Sequence, residues 1–208
     1  MIIFDNCFYG DKNLKEINIQ CNNKFDDIVI GSKSFYNCSS LESISFVCAN
    51  SVIFEENAFF GCKNLRNITI TASKEFQAGM NCFTNCNDKS FDLSINSGKV
   101  IIDKNCFKST NISTLTIAAQ SEIILKEKAF SYCTRLNNVN IKLNGKVTIS
   151  NECFYKDQNL TQVIIEGNEI STGTYSFSKC SSLNQLSFNK AENIILDHYS
   201  FSECNNIS

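Results

Sequence analysis

Residues 57–70 read Asn-Ala-Phe-Phe-Gly-Cys-Lys-Asn-Leu-Arg-Asn-Ile-Thr-Ile, and variants of this stretch recur along the whole 208-residue chain. A small residue precedes Phe59, Cys62 follows three positions later, Leu65 follows after three more, and the alternating pair Ile68 and Ile70 completes the unit. The equivalent phenylalanines recur at intervals of about 24 residues. They are Phe8, Phe35, Phe59, Phe83, Phe107, Phe130, Phe154, Phe177 and Phe201.

The position three residues after each phenylalanine is a cysteine in most copies of the repeat. These cysteines are Cys38, Cys62, Cys86, Cys133, Cys180 and Cys204, and Asp11, Thr110 and Asp157 replace them in the other copies. A second apolar run, such as 52–54 or 100–102, comes just before the next phenylalanine. Residues 21–24 add length to the first repeat and predict a longer outward loop.

The two apolar runs of each repeat predict two short β-strands. They alternate apolar and polar positions and are rich in β-branched and aromatic residues, as strands are. No window keeps a 3.6-residue apolar period over three turns, which argues against long helices. We expect the segment around the phenylalanine and cysteine to form, at most, a single helical or 3₁₀ turn.

One repeat cannot bury its own isoleucines and phenylalanine, so neighbouring repeats must stack to bury them. Equivalent strands then pair in parallel, and the phenylalanines form a continuous spine. The sequence therefore predicts a repeat solenoid: a β-rich right-handed coil with parallel sheets of short strands. We expect residues 1–208 to form a single solenoid of about eight to nine coils, incomplete at both ends and continuing into further repeats, because neither end has a polar cap.

The repeat resembles the leucine-rich repeat of BspA-like surface antigens, which occur in anaerobic bacteria and parasitic protozoa. Residues 57–70 and 128–136 carry the resemblance most clearly, and it extends over the whole chain. The family often has a proline after the first strand, whereas this chain contains no proline. The resemblance implies a leucine-rich-repeat solenoid at the cell surface, with an extended face for contact with a host protein, the extracellular matrix or a cell. It implies no catalytic residues.

Composition and motifs exclude several classes of function. The net charge of −2 and pI of about 5.5 provide no basic field for nucleic acid. No apolar stretch is long enough to insert into a membrane. The single histidine, His198, has no recognisable catalytic partners, and no phosphate loop, dinucleotide fingerprint or paired zinc-ligand spacing occurs. We therefore expect a protein that is not an enzyme and that has no cofactor and no metal site.

The first strand of each repeat supplies our candidate binding stripe. Between the inward-facing apolar residues, one residue per strand should point outward, and nearly all of these are small and polar. The stripe is Asn18, Ser45, Thr69, Ser94, Thr116, Asn140, Ile164 and Ser187. If this sheet lines a concave face, the stripe is an uncharged hydrogen-bonding platform for an extended partner. Alternatively, these residue types are simply stable on an exposed sheet face.

The second strand of each repeat has an outward stripe that is mostly aliphatic. Such a stripe is either an interface or a set of β-branched residues partly covered by neighbouring side chains. Its members are Ile2, Val29, Ile53, Gln77, Ile101, Ile124, Thr148, Ser171 and Ile195.

The preferred function is a non-catalytic protein-binding or adhesion module of a surface protein. The alternative is an intracellular scaffold, and two observations favour it. The N-terminal residues do not form a signal peptide. The repeating cysteines are best interpreted as free, buried thiols, which are typical of a reducing, cytoplasmic compartment.

Overall fold

A computed structural model describes residues 1–20, 26–48, 50–86 and 88–207, with the backbone alone for Cys48. The loop predicted over 21–24 lies outside these residues. The described strands are β1 (Ile2–Ile3), β2 (Glu16–Gln20), β3 (Ile28–Ile30), β4 (Ser43–Cys48), β5 (Ser51–Phe54), β6 (Asn67–Ala78), β7 (Phe91–Ile102), β8 (Ile112–Leu125), β9 (Asn138–Lys142), β10 (Lys146–Ile149), β11 (Gln162–Glu166), β12 (Glu169–Thr172), β13 (Gln185–Asn189) and β14 (Asn193–Leu196).

The strands form two parallel ladders, which confirms the prediction of a parallel-sheet solenoid. The first strands of successive coils pair in the order β2-β4-β6-β7-β8-β9-β11-β13. The second strands pair in the order β1-β3-β5-β6-β7-β8-β10-β12-β14. β6, β7 and β8 belong to both ladders because each runs through the corner as one long strand, with register shifts near that corner. Equivalent residues of neighbouring coils therefore lie opposite one another.

The predicted phenylalanine spine is present. The nine rings stack in chain order with centroid separations between 4.7 and 5.4 Å. The rings from Phe35 to Phe177 are buried, whereas Phe8 at one end of the stack is 40% exposed. Each ring contacts its neighbours in the adjacent coils, so the core is continuous along the coil axis.

The segment around each phenylalanine is not helical, and the expectation of short helical or 3₁₀ turns is wrong for the described residues. The residues two positions before and two positions after each spine phenylalanine have positive φ. We call them the left-handed positions; around Phe35 they are Lys33 and Asn37, with φ of 55° and 56°. A left-handed residue reverses the sense of the backbone, so consecutive turns form instead of a helix. The bond from the Cys38 amide to the Phe35 carbonyl, 3.3 Å long, closes one such turn.

A row of alternating charges runs across the second ladder. Glu75, Lys99, Glu122, Lys146 and Glu169 lie opposite one another on β6, β7, β8, β10 and β12. The Lys99 ammonium and the Glu122 carboxylate are 3.0 Å apart. Because opposite charges on facing strands attract, this charge row stabilises the observed register.

Candidate functional site

The eight residues of the predicted stripe form one row across the first ladder, each opposite its neighbour in the next coil. All eight side chains are exposed or half-buried, as their outward orientation requires. We call this row the polar row: Asn18, Ser45, Thr69, Ser94, Thr116, Asn140, Ile164 and Ser187. The structure therefore brings the predicted residues together, and their role in binding stays a prediction.

Two further outward rows flank the polar row, so the first ladder presents a broad face rather than a line. The row at the start of the strands is Glu16, Ser43, Asn67, Asp92, Thr114, Asn138, Gln162 and Gln185. The row at their end is Gln20, Val47, Thr71, Asn96, Ala118, Lys142, Glu166 and Asn189. Most of these side chains are amides and hydroxyls, which can both donate and accept hydrogen bonds.

Side chains on this face bond to one another across coils. The Thr114 and Ser113 hydroxyls donate to the Asp92 carboxylate at 2.6 and 2.8 Å, and these bonds lower the pKa of that carboxyl. The Gln162 amide donates to the Gln185 side-chain oxygen at 2.6 Å. Such bonds hold polar groups in defined positions, which reduces the entropy lost when a partner binds.

The aliphatic stripe of the second ladder also forms a continuous row. Its inner members, such as Ile101 and Ile124, are half-buried, whereas Ile2 and Ile195 in the outermost coils are 60% and 57% exposed. The charge row runs beside it, two residues earlier in each strand, and long charged side chains can cover neighbouring apolar surface with their methylene groups. This geometry agrees with the interpretation in which neighbouring side chains partly cover the stripe.

The cysteines that follow the spine are structural. Each thiol in the described column donates to the backbone carbonyl of the spine phenylalanine one coil earlier, as Cys38 does to Phe8 at 3.1 Å. Burial raises the pKa of the Cys38 thiol to about 12. The described cysteine side chains are free thiols, and all but Cys7 and Cys204 are buried. A buried thiol with a raised pKa is a poor nucleophile.

Asp157 is a buried carboxyl that sequence reasoning did not single out. It occupies a cysteine position of the column and has no exposed surface. Its Oδ1 atom accepts a bond of 2.8 Å from the Cys133 amide, and its Oδ2 atom has no hydrogen-bond partner. Burial raises the pKa of this carboxyl well above its usual range. The available signal was that it replaces a cysteine in an interior coil, whereas Asp11, the other aspartate of the column, lies in the first coil.

The single histidine does not form a catalytic arrangement. The His198 ring lies 2.7 Å from the Asp197 carboxylate and is largely exposed. The nearby Ser200 hydroxyl bonds to the Thr172 hydroxyl and the Asp197 backbone carbonyl rather than to the imidazole. These residues therefore lack the contact between nucleophile and base that a serine-type mechanism needs.

The described residues form neither a metal site nor a membrane-spanning helix. Within 1–20, 26–48, 50–86 and 88–207, no group of histidine, cysteine and acidic side chains is arranged to bind a metal ion. The same residues contain no helix of the length and apolarity needed to span a bilayer.

Comparison with known proteins gives the family. The model of the BspA-type leucine-rich repeat region (6 copies) matches residues 1–125 and 100–208. The chain therefore belongs to the BspA-type leucine-rich-repeat family, which confirms the resemblance drawn from the repeat. The family is defined by a structural repeat and is not an enzyme family.

Two solved structures are similar to the chain. One is a leucine-rich cell surface protein from Faecalibacterium prausnitzii, with 15% identity, a TM-score of 0.39, and coverage of 100% of this chain and 69% of that one. The other is a leucine-rich repeat protein from Bacteroides ovatus, with 16% identity, a TM-score of 0.28, and coverage of 99% of this chain and 80% of that one. No curated protein matches.

Proposed function

We propose that the chain is a non-catalytic binding and adhesion module, and that the broad face of its first ladder contacts a host-surface or extracellular-matrix protein. The observation that carries the proposal is the continuity of the polar row over eight strands in register. A continuous face on which amides and hydroxyls predominate suits an extended partner, because many weak contacts add over its length.

The experiment tests this face with substitutions that keep the fold. Thr69→Glu, Ser94→Lys and Thr116→Glu together place alternating charges on three neighbouring strands, as the native charge row does on the other ladder. We expect beads coated with this variant to lose adherence to matrix laid down by cultured epithelial cells. Charged side chains placed in a contact made mainly by amides and hydroxyls cost binding energy because they must be desolvated.

A matched control carries the same types of charge on the second ladder. Gln77→Glu, Thr148→Lys and Ser171→Glu lie in the aliphatic stripe. Beads coated with this variant should adhere as the unaltered chain does. Equal adherence of all three proteins, or equal loss in both variants, would refute the proposal that the polar row makes the contact.

An intracellular scaffold is the second candidate, and the buried cysteines support it. The buried cysteines such as Cys62, Cys86 and Cys106 are free thiols, and unpaired cysteines are typical of a reducing compartment. Labelling of intact source cells with a membrane-impermeant biotin reagent separates the two candidates. Labelling of the native protein supports the surface module, and labelling only after lysis supports the scaffold.

A further inference from the structure

The left-handed positions change in character along the chain. In the first five coils, eight of these ten positions hold asparagine or glycine, and the other two are Lys33 and Ser109. In the last four coils no left-handed position holds asparagine or glycine. Those positions hold Lys128, Tyr132, Glu152, Lys156, Tyr175, Lys179, Tyr199 and Glu203.

This difference carries an energetic cost. Glycine and asparagine adopt positive φ readily, whereas a bulky side chain there is strained. Such outliers concentrate at sites where a function requires the side chain. The last four coils therefore carry tyrosine, lysine and glutamate at positions where glycine or asparagine would be less strained. We call the side of the solenoid formed by these turns the turn side.

Lysines and tyrosines alternate on this side. The Lys108 and Lys156 ammonium groups lie 5.8 and 5.3 Å from the centre of the Tyr132 ring. Lys156 and Lys179 lie 5.4 and 5.9 Å from the centre of the Tyr155 ring. We call these five residues the lysine–tyrosine chain. Cation–π contacts of this kind hold the ammonium groups in place while leaving N–H groups able to donate.

The charges of the lysine–tyrosine chain are only partly compensated. Lys179 pairs with Glu203 at 3.4 Å. Neither Lys108 nor Lys156 forms an ion pair with a carboxylate in the described part of the chain. These two cations are therefore available to an anionic group.

An open slot lies beside the lysine–tyrosine chain. It has a volume of about 420 Å³, and its walls are Glu152, Tyr155, Tyr175, Ser178, Lys179 and Glu203. In the first three coils, the positions equivalent to Ser178 hold Tyr9, Tyr36 and Phe60, whose rings stack 5.0 and 4.9 Å apart. Ser178 has no ring and is buried, so no aromatic ring stacks on Tyr155 from that coil, and the Lys179 ammonium lies over the Tyr155 ring instead.

The chemistry of the slot matches a sugar. A pyranose ring has a C–H face that packs on an aromatic ring, and hydroxyls that bond to carboxylates and ammonium groups. The coils that carry Lys108 and Lys179 are three coils apart, which corresponds to about 15 Å along the solenoid, a span that suits an oligosaccharide.

We propose that the turn side of the last coils binds an acidic glycan. One sugar ring occupies the slot lined by Tyr155 and Tyr175, and carboxylate or sulfate groups of the glycan pair with the Lys108 and Lys156 ammonium groups. This site lies apart from the first ladder, so it is independent of the proposed adhesion face. Loss of one activity leaves the other intact.

The test is calorimetric titration of the 208-residue chain with a heparin hexasaccharide at physiological salt. A hyaluronan hexasaccharide, which carries carboxylates alone, shows which acidic group is preferred. Binding to either glycan, and none to neutral dextran, supports the proposal. Binding to neither, or equal binding to a single-stranded oligonucleotide of matched charge, overturns it.

Ser178→Tyr is the most direct variant because a ring at this position, as at Tyr36 in an earlier coil, would extend into the slot. It also removes the bond of 2.8 Å that the Ser178 hydroxyl accepts from Ser202, which is not a ligand contact. We expect it to weaken glycan binding at least about tenfold. Thr84→Tyr is the matched control: it is the same position in an earlier coil, next to Phe60 in the column, and should leave affinity unchanged. Thermal unfolding of both variants establishes that each is folded.

The lysines are tested separately. Lys108→Gln with Lys156→Gln should lower affinity about tenfold, whereas Lys33→Gln with Lys63→Gln, which removes the same charge from the early coils, should not. Unchanged affinity in both Ser178→Tyr and the Lys108/Lys156 variant overturns the site assignment. Equal weakening by the Lys33/Lys63 variant overturns it too, because binding would then depend on overall charge alone.

Discussion

The thiol of Cys62 donates a 3.1 Å hydrogen bond to the backbone carbonyl of Phe35, one coil earlier. The same bond joins Cys86 to Phe59, Cys133 to Phe107, Cys180 to Phe154 and Cys204 to Phe177. Cysteine suits this position because it is small and apolar yet carries a weak donor for a carbonyl that would otherwise be partly unsatisfied. The bond joins neighbouring coils along the column beside the aromatic spine.

Alkylation should separate the exposed from the buried thiols. We expect iodoacetamide at pH 8 to modify Cys7 rapidly and Cys38, Cys62 and Cys86 only on unfolding, because reaction needs an accessible thiolate. Mass spectrometry of peptides from native and urea-treated protein measures this. Equal rates at Cys7 and Cys62 in native protein would contradict the buried column.

Removal of a central spine ring should be costly. Phe83→Ala leaves a cavity between two stacked rings, and we expect it to lower the free energy of unfolding by about 3–5 kcal/mol. Hydrogen exchange should increase mainly in β6 and β7, since each coil contacts only its neighbours. Phe8→Ala is the control because that ring is 40% exposed, and it should cost much less. Similar losses in urea unfolding would argue against a continuous spine.

Asp157 should make stability depend on pH. The carboxyl is fully buried, and its Oδ1 atom accepts a hydrogen bond from the Cys133 amide. An unfolded chain ionises aspartate at about pH 3.9, whereas burial raises the pKa of Asp157 in the folded chain. Below the unfolded pKa both states are protonated. Above it, the folded chain retains a proton that the unfolded chain has released, so stability falls as pH rises toward the folded pKa.

The slope should approach about 1.4 kcal/mol per pH unit in that window. Urea unfolding at several pH values between about pH 5 and pH 7 measures it. Asp157→Asn should flatten the slope, whereas Asp88→Asn, at an exposed position, should not. Parallel slopes for the unaltered protein and Asp157→Asn would show that this carboxyl is not responsible.

The charge row predicts a loss of stability on reversing one charge and a recovery on reversing its neighbours. Glu122→Lys places three lysines in succession, with Lys99 and Lys146 on either side. We expect a loss of about 1–2 kcal/mol in the free energy of unfolding, since like charges on facing strands repel. High salt should reduce the loss by screening. Reversing the other four charges as well, with Glu75→Lys, Lys99→Glu, Lys146→Glu and Glu169→Lys, recreates the alternation and should restore part of it. No rescue would mean that residue 122 matters for another reason.

The period of the repeat predicted the spine, both ladders and the outward direction of the polar row. These follow from alternation within strands and from the recurrence of Phe59-like residues, which are strong signals because every coil repeats them. The binding role of the polar row is not predictable with the same force, because Thr69 and Ser94 would be equally stable on any exposed sheet face.

Other features depend on backbone geometry that composition does not reveal. Lys33 and Tyr132 are ordinary residues in sequence, and only the structure shows their positive φ, which excludes the predicted helical turns. The bond from a thiol to the preceding coil likewise requires the register to be known. β7 runs continuously from the first ladder into the second, and this depends on how the backbone bends at the corner around Gly98. An added Cβ atom at Gly98 would lie 2.4 Å from the Ser73 carbonyl oxygen.

The charge row also discriminates against one misfolded state. A spine of identical rings cannot distinguish the next coil from the one after it, so a growing solenoid could omit a coil and still stack phenylalanine on phenylalanine. Such an omission would set Glu75 against Glu122, or Lys99 against Lys146, and repulsion would disfavour the skipped arrangement. Alternation of charge with a period of two coils therefore favours pairing between adjacent coils over pairing that skips a coil during assembly.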